Sequence, residues 1–139
     1  MATETIDRPQ TERTEENTFL HVLTGPFARI LYSLPFLIFG INHFAQPQNL
    51  APAVPVPGEM FWVYFVGACL IAAGIAIIAN RLRLIAGVLL SALLMTFVLT
   101  IHVPAILAEG MAATQAVVNL LKDSALAGAA LYLAGHPHR

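Results

Sequence analysis

The stretch Phe39-Gly-Ile-Asn-His-Phe-Ala-Gln-Pro47 ends a long apolar run at a polar pair, Asn42 and His43, and a proline-rich segment follows directly. Of the 139 residues, 58% are hydrophobic and only 11% are charged. A soluble domain carries about a quarter of its residues as charges. A chain this apolar must satisfy its backbone hydrogen bonds internally, as membrane-spanning helices do. The sequence therefore predicts an all-α integral membrane protein.

Four apolar runs are each long enough for one membrane span, which takes about 20 residues. The runs cover about residues 27–44, 60–79, 84–106 and 115–134. We therefore predict a four-helix membrane bundle over residues 19–135. Mixed charges without apolar periodicity predict a disordered cytoplasmic tail over residues 1–18. Residues 136–139 are expected to form a cytoplasmic end.

The segments between the spans fix the expected orientation, because Lys and Arg are enriched on the cytoplasmic side of membrane proteins. With four spans, every such residue except Lys122 falls on one side: Arg8, Arg13, Arg29, Arg81, Arg83 and Arg139. Both termini are therefore expected in the cytoplasm. Gly25-Pro26 is expected to break the helix before the first span. Prolines between residues 46 and 59 favour a stiff, extended connection that covers the outer end of the bundle.

Polar residues from the first, third and fourth spans fall at one depth, near the expected outer side. These candidate site residues are Asn42, His43, His102, Asn119, Lys122 and Asp123. Asn119 and Asp123 share one helical stripe because they are four residues apart. Lys122 and Asp123 are adjacent, so we expect them to point apart and pair with other helices. An ionised group in hydrocarbon costs about 2.5–3.5 kcal/mol, which predicts a polar pocket near the outer leaflet.

The same residues admit other interpretations. Lys122 and Asp123 can form a buried ion pair, and His43 and His102 can be hydrogen-bonded residues at the membrane interface. Two histidines at similar depth can also hold a haem axially, but nothing marks them for this, so we disfavour haem and predict no metal site. Cys69 is the only cysteine, which excludes a disulfide or dithiol pair within the chain. A net charge of −1 without a basic stripe argues against a nucleic-acid partner.

Two stretches carry a resemblance to a known family. Ala28-Arg-Ile-Leu31 leading into Phe39-Gly-Ile-Asn-His-Phe44, with the later Asn119-Leu-Leu-Lys-Asp-Ser-Ala-Leu-Ala-Gly128, resembles the DoxX-like membrane proteins. The resemblance implies a four-helix bundle in the bacterial cytoplasmic (inner) membrane, with marked positions at Arg29, His43, Lys122 and Asp123. Related subunits of thiosulfate:quinone oxidoreductase imply a redox association. The chain differs from the redox members of the family, whose thiol chemistry needs a pair of cysteines, because it has only Cys69.

Two functions remain open at this stage. In a quinone-linked role, His43 and His102 would donate hydrogen bonds to the head group, Asp123 would relay protons and Lys122 would hold charge. The chain has no motif for an electron-carrying cofactor, so an enzyme of this kind needs a redox partner subunit. The alternative is a non-catalytic accessory or assembly subunit of a larger membrane complex, or a homo-oligomer, which docks through the small residues of the second span. A transporter is less favoured because the chain shows no broken-helix repeats.

Overall fold

The computed structural model describes residues 10–109 and 113–135, and within these ranges the chain is almost entirely helical, without a β-strand. The α-helices are α1 (Gln10–Val22), α2 (Ala28–Ala45), α3 (Pro47–Leu50), α4 (Glu59–Ile78), α5 (Arg83–Phe97), α6 (Val103–Glu109) and α7 (Thr114–Gly135). A π-helical segment at Leu23–Phe27 joins α1 to α2, and another at Val98–His102 joins α5 to α6. A short 3-10 turn, Ala51–Ala53, follows α3.

Four helical stretches are long and apolar enough to cross a membrane. They are Asn17–Ala45, Glu59–Ile78, Arg83–Glu109 and Thr114–Gly135. The predicted all-α class with four helices of membrane-spanning length is confirmed. The second and fourth stretches differ from the predicted spans by one residue at each end. The first and third are longer than predicted.

The first stretch is longer because the predicted break at Gly25-Pro26 is wrong and the helix continues upstream through it. Gly25-Pro26 does not break the helix, since a π-helical turn encloses Pro26. Proline has no N–H, so in an α-helix it would leave one backbone carbonyl without a hydrogen bond. In a π turn the N–H of the next residue along the chain can donate to that carbonyl instead. Residues 10–18, predicted as disordered, lie in α1 because adding residues to an existing helix is easier than starting one. Residues 1–9 and 136–139 of the predicted tails lie outside the described residues.

The proline-rich connection also differs from the extended chain that was expected. Its first half forms α3 and the 3-10 turn, with Pro47 and Pro52 in the opening turns of these elements. Proline is tolerated there because the first N–H groups of a helix have no partner inside the helix. Gly58 then adopts a φ of +84°, which glycine reaches without a steric penalty, and the chain turns into α4.

The four long helices pack as two pairs, α2 with α4 and α5 with α7. Glycines let the backbones meet. A Cβ atom on Gly40 would lie 2.9 Å from the carbonyl oxygen of Gly67, and one on Gly87 would lie 2.6 Å from the carbonyl oxygen of Ala130. Such close approach is the main source of helix association in a membrane, where apolar surface alone supplies no preference for another helix. Each pair is therefore held by direct backbone packing.

The hydrophobic core joins the two pairs at the end of the bundle where α4 turns into α5. Its buried members are Phe36, Leu70, Ile77, Ala86, Leu90, Leu94, Ala127 and Ala130. The Tyr32 hydroxyl donates a 2.6 Å hydrogen bond to the carbonyl of Leu126 and so links α2 to α7. We call this half of the bundle the packed end. The other half, where α2 ends and α4 begins, is the cavity end.

Candidate functional site

A cavity of about 600 Å³ separates the two helix pairs at the cavity end. This volume lies within the range of roughly 300–1,000 Å³ that is typical of small-molecule sites. All four long helices line it, and the connection closes over it with residues from Leu50 to Val56. Five aromatic rings contribute to its walls: Phe36, Phe39, Trp62, Phe65 and Phe97. The cavity is thus a largely apolar space with aromatic walls.

Five of the six predicted site residues line this cavity: His43, His102, Asn119, Lys122 and Asp123. Asn42 does not line it, and its backbone carbonyl accepts a 2.9 Å hydrogen bond from Gln46 N–H at the end of α2. Neighbouring residues on a helix project in different directions, so only one member of the Asn42–His43 pair faces the cavity. The structure therefore brings together polar groups from three different helical stretches.

Asp123 and His102 link α7 to the π-helical segment. His102 Nε2 lies 3.0 Å from Asp123 Oδ2, and Asp123 is only 6% exposed. Because an ionised carboxylate only accepts, Nε2 of His102 donates this hydrogen bond. A buried carboxylate needs such a partner, since desolvation without compensation is costly. The π-helical segment places His102 at this position just before Pro104.

Lys122 approaches Asp123, contrary to the expectation that these two side chains would point apart. Lys122 Nζ lies 3.5 Å from Asp123 Oδ1, on the oxygen that His102 does not use. The flexible four-carbon stem of lysine lets the amine curl back to its neighbour. The same amine lies 4.7 Å from the centroid of the Phe39 ring, within the range of a cation–π interaction. Asp123 therefore accepts a hydrogen bond from His102 on one oxygen and forms an ion pair with Lys122 on the other.

His43 is held in place by its own helix and by α4. Its Nδ1 lies 2.7 Å from the carbonyl oxygen of Phe39, one turn earlier in α2. Gly67 makes room for it, because a Cβ at that position would lie 2.7 Å from the Cβ of His43. His43 therefore lies at a close contact between α2 and α4.

Three other polar groups of the cavity make hydrogen bonds along their own helices: the two threonine hydroxyls and the Asn119 side-chain carbonyl. The hydroxyls of Thr96 and Thr100 donate to the carbonyls of Ala92 and Thr96, at 2.8 and 2.7 Å. Asn119 Oδ1 accepts a 3.2 Å hydrogen bond from Gln115 Nε2. Within the described ranges, no group of three or more His, Cys, Asp or Glu side chains is placed to hold a metal ion.

Sequence reasoning missed most of the aromatic wall. Trp62 stands at the start of the second span, where an aromatic residue is typical of a membrane interface, but it lines the cavity and donates a 3.3 Å hydrogen bond to the carbonyl of Pro57. The spacing of Phe36, Phe39 and His43 by three and four residues was the available signal, because such residues share one helical face. The small residues of α4 divide in a way that spacing alone did not predict: Gly67 and Gly74 pack against α2, whereas Ala68 and Ala72 are exposed.

Comparison with known protein families matches most of the chain to a family model. A family model described as "Domain of unknown function (DUF8561)" matches residues 32–134. The match covers well over half of the chain and includes all six predicted site residues. No curated protein matches the chain, and no solved structure matches it.

Proposed function

We propose that this chain, which belongs to the family described as Domain of unknown function (DUF8561), is a multi-pass membrane protein that binds a lipid-soluble molecule of the quinone class. The observation that carries the proposal is the cavity between the two helix pairs, which has aromatic walls and a set of polar lining residues. We call this set the polar end of the cavity: His43, His102, Asn119, Lys122 and Asp123. Small-molecule sites combine these two features, since apolar walls supply affinity and a few polar groups fix orientation. Four helices of membrane-spanning length would give a lipid-soluble ligand direct access from the bilayer.

The charges at the polar end favour a neutral head group. Lys122 and Asp123 balance each other at 3.5 Å, so the site holds no unopposed charge that would call for an ionic ligand. The Lys122 amine has three N–H donors, and Asp123 engages one side of it. A ring oxygen of a quinone-class ligand can accept a hydrogen bond from the amine while the ring lies among the aromatic side chains. An alkyl tail would then follow the apolar walls towards lipid.

The proposal includes a place and an orientation: a bacterial inner membrane, with both termini in the cytoplasm and the polar end of the cavity towards the outer leaflet. The charge distribution supports it, because Arg81 and Arg83 flank the turn between α4 and α5, whereas residues 46–58 contain no Lys or Arg. With Cys69 replaced by serine, a cysteine at Asn80 should resist a membrane-impermeant maleimide applied from outside. A cysteine at Ala53 should react. The reverse labelling pattern would refute the orientation.

The redox part of the proposal depends on the resemblance to the DoxX-like proteins. On that interpretation the chain supplies the ligand site, and a partner subunit supplies the electron-carrying group. The residues that would serve the ligand are Lys122, as a hydrogen-bond donor, and the Asp123–His102 pair, as a proton store next to the ring. Binding itself does not depend on the partner, so it can be measured on the isolated chain.

Trp62 offers a direct test, because it is the only tryptophan and it lines the cavity. The full chain in phosphatidylcholine nanodiscs is titrated with a decyl-tailed benzoquinone, which quenches tryptophan fluorescence on contact. We expect saturable quenching. Lys122→Met should weaken it about tenfold, the equivalent of one charge-assisted hydrogen bond, whereas Arg81→Met in the distant turn should not change it.

Quinone in the lipid also quenches by collision, so the reporter is moved as a control. In a Trp62→Phe, Tyr132→Trp variant the tryptophan lies on the exposed face of α7, away from the cavity. Quenching of this variant should rise linearly with quinone concentration and should not saturate. Linear quenching in the unmodified chain as well would contradict the proposed function.

A second candidate function, an accessory subunit of a larger membrane complex, is favoured by one observation. Ala68 and Ala72 leave an exposed small-residue surface on α4, while Gly67 and Gly74 are already occupied by α2. Small residues allow a further helix to approach closely in a membrane. A stoichiometric partner that co-purifies in mild detergent and is lost in Ala72→Trp would support this role. A clean single chain in both preparations would count against it.

A further inference from the structure

The hydrogen bond of His43 fixes what its ring can offer to a ligand. The carbonyl oxygen of Phe39 can only accept, so the Nδ1 atom 2.7 Å away must carry the proton. In a neutral imidazole the other nitrogen then has a lone pair and no hydrogen. His43 Nε2 is therefore an acceptor. The donor role that the sequence suggested for neutral His43 is incorrect for this geometry.

The donors at the polar end are largely used by the protein itself. The Thr96 and Thr100 hydroxyl protons go to backbone carbonyls, and the His102 Nε2 proton goes to Asp123. Two groups that line the cavity keep unused donor hydrogens: the Asn119 amide nitrogen and the Lys122 amine, which lies against the Phe39 ring. His43 and Lys122 thus both neighbour Phe39 and present opposite hydrogen-bonding characters to the same space.

We propose that the cavity selects a ligand with an aromatic hydroxyl, a phenol or the hydroquinone form of a quinone, whose O–H donates to His43 Nε2. A second ring oxygen, where present, accepts from Lys122. This inference rests on the proposed function and specifies which form of the ligand the site prefers. An oxidised quinone has only acceptor oxygens, so when its ring displaces water from the half-buried His43 it leaves Nε2 without a partner, and a desolvated group without a partner is costly. His43 is the specificity-determining residue.

The test compares a para-alkyl phenol with its methyl ether, in which a methyl group replaces the hydroxyl proton and so removes the donor. Each is added to the full chain in nanodiscs that already hold the decyl-tailed benzoquinone, and displacement is followed as recovery of Trp62 fluorescence. We expect the phenol to displace the quinone at about tenfold lower concentration than the ether, the ratio expected for one buried hydrogen bond.

Variants of His43 separate recognition from packing. His43→Phe keeps a ring but removes the acceptor, so the phenol and the ether should become nearly equal competitors. His43→Gln keeps an acceptor oxygen and should restore part of the difference. His21→Phe, which makes the same change at an exposed position of α1, should leave the tenfold ratio unchanged. If His43→Phe weakens both competitors by the same factor and the tenfold ratio between them stays, His43 has only a packing role and the inference is overturned.

The tautomer can also be read directly, without relying on a variant that folds. In the full chain with ¹⁵N-labelled histidine, the nitrogen shifts of His43 should show a protonated Nδ1 and a bare Nε2, and phenol should shift the Nε2 signal. A proton on Nε2, or equal displacement by phenol and ether while quinone quenching stays saturable, would refute the selection of a hydroxyl. Absence of saturable quenching altogether would instead refute the proposed function on which the inference rests.

Discussion

The packed end and the cavity end are built from the same four helices, yet different residues determine the spacing between them. At the packed end small residues let backbones touch, as Gly87 does against Ala130, and Phe36 and Leu90 fill the remaining space. At the cavity end the backbones of α2 and α4 still touch through Gly40 and Gly67, but aromatic and polar side chains line a cavity between the two pairs. The His102–Asp123 hydrogen bond links α7 to the π-helical segment there. Close packing supplies stability at one end, and a spaced arrangement leaves room for a ligand at the other.

The largest effect is expected at the boundary between the two ends. Phe36 is 1% exposed and belongs both to the core and to the cavity wall. Phe36→Ala should lower the free energy of unfolding by roughly 3–5 kcal/mol, because it removes a buried ring and leaves a void. Phe61→Ala, at a ring that is 64% exposed, is the matched control and should cost much less. Unfolding in a mixed detergent titration measures both, and equal losses would contradict the assigned boundary.

A smaller effect is expected where the packed end has no spare room. Gly87→Ala would place a methyl group 2.6 Å from the carbonyl of Ala130, and the helices must shift to accept it. We expect a loss of roughly 1–3 kcal/mol, typical of overpacking. Gly128→Ala makes the same change where nothing lies within 4 Å of the added carbon, so it should be neutral or slightly stabilising. The same detergent titration distinguishes them, and similar behaviour of the two variants would argue against backbone contact in the α5–α7 pair.

The smallest effect on stability is expected at the cavity end. Asp123→Asn removes the charge that faces His102 and Lys122. Hydrogen bonds between membrane helices contribute about 0.6 kcal/mol on average and at most about 1.7, so the loss of stability should stay below that of Gly87→Ala. Glu109→Gln, at an exposed acid on α6, is the control. A larger loss for Asp123→Asn than for Gly87→Ala would invert the comparison between the two ends.

The sequence predicted the helix class and the number of long helices because hydropathy and helix length depend on local composition. It also selected His43, His102, Asn119, Lys122 and Asp123, since ionisable and amide groups are expensive inside an apolar helix unless they share a cavity or a partner. The α2–α4 and α5–α7 pairing was not predicted. Pairing depends on which of several small-residue faces meet, as the division of α4 into Gly67 and Ala68 sides shows. The DoxX-like resemblance stays a prediction.

Details of side-chain direction were also beyond the sequence. Adjacency suggested that Lys122 would turn away from Asp123, but a long flexible side chain is not bound by the direction of its Cβ. The state of His43 depends on a hydrogen bond to its own backbone, which residue type alone does not specify. Gly25-Pro26 was expected to end a helix. The helix continues because a π turn supplies another N–H donor in place of the one that Pro26 lacks.

The two π-helical turns lengthen the helical stretches that contain them, because each turn joins two α-helices into one continuous stretch. The stretches that contain them are 29 and 27 residues long, against 20 and 22 for the other two. At about 1.5 Å per residue the longest extends roughly 44 Å, well beyond a hydrocarbon layer of about 30 Å. In the proposed orientation, and without a strong tilt, the start of the first stretch would extend beyond the hydrocarbon layer on the cytoplasmic side. The end of the third stretch, α6, would extend on the opposite side, directly after the π-helical segment whose residues line the cavity.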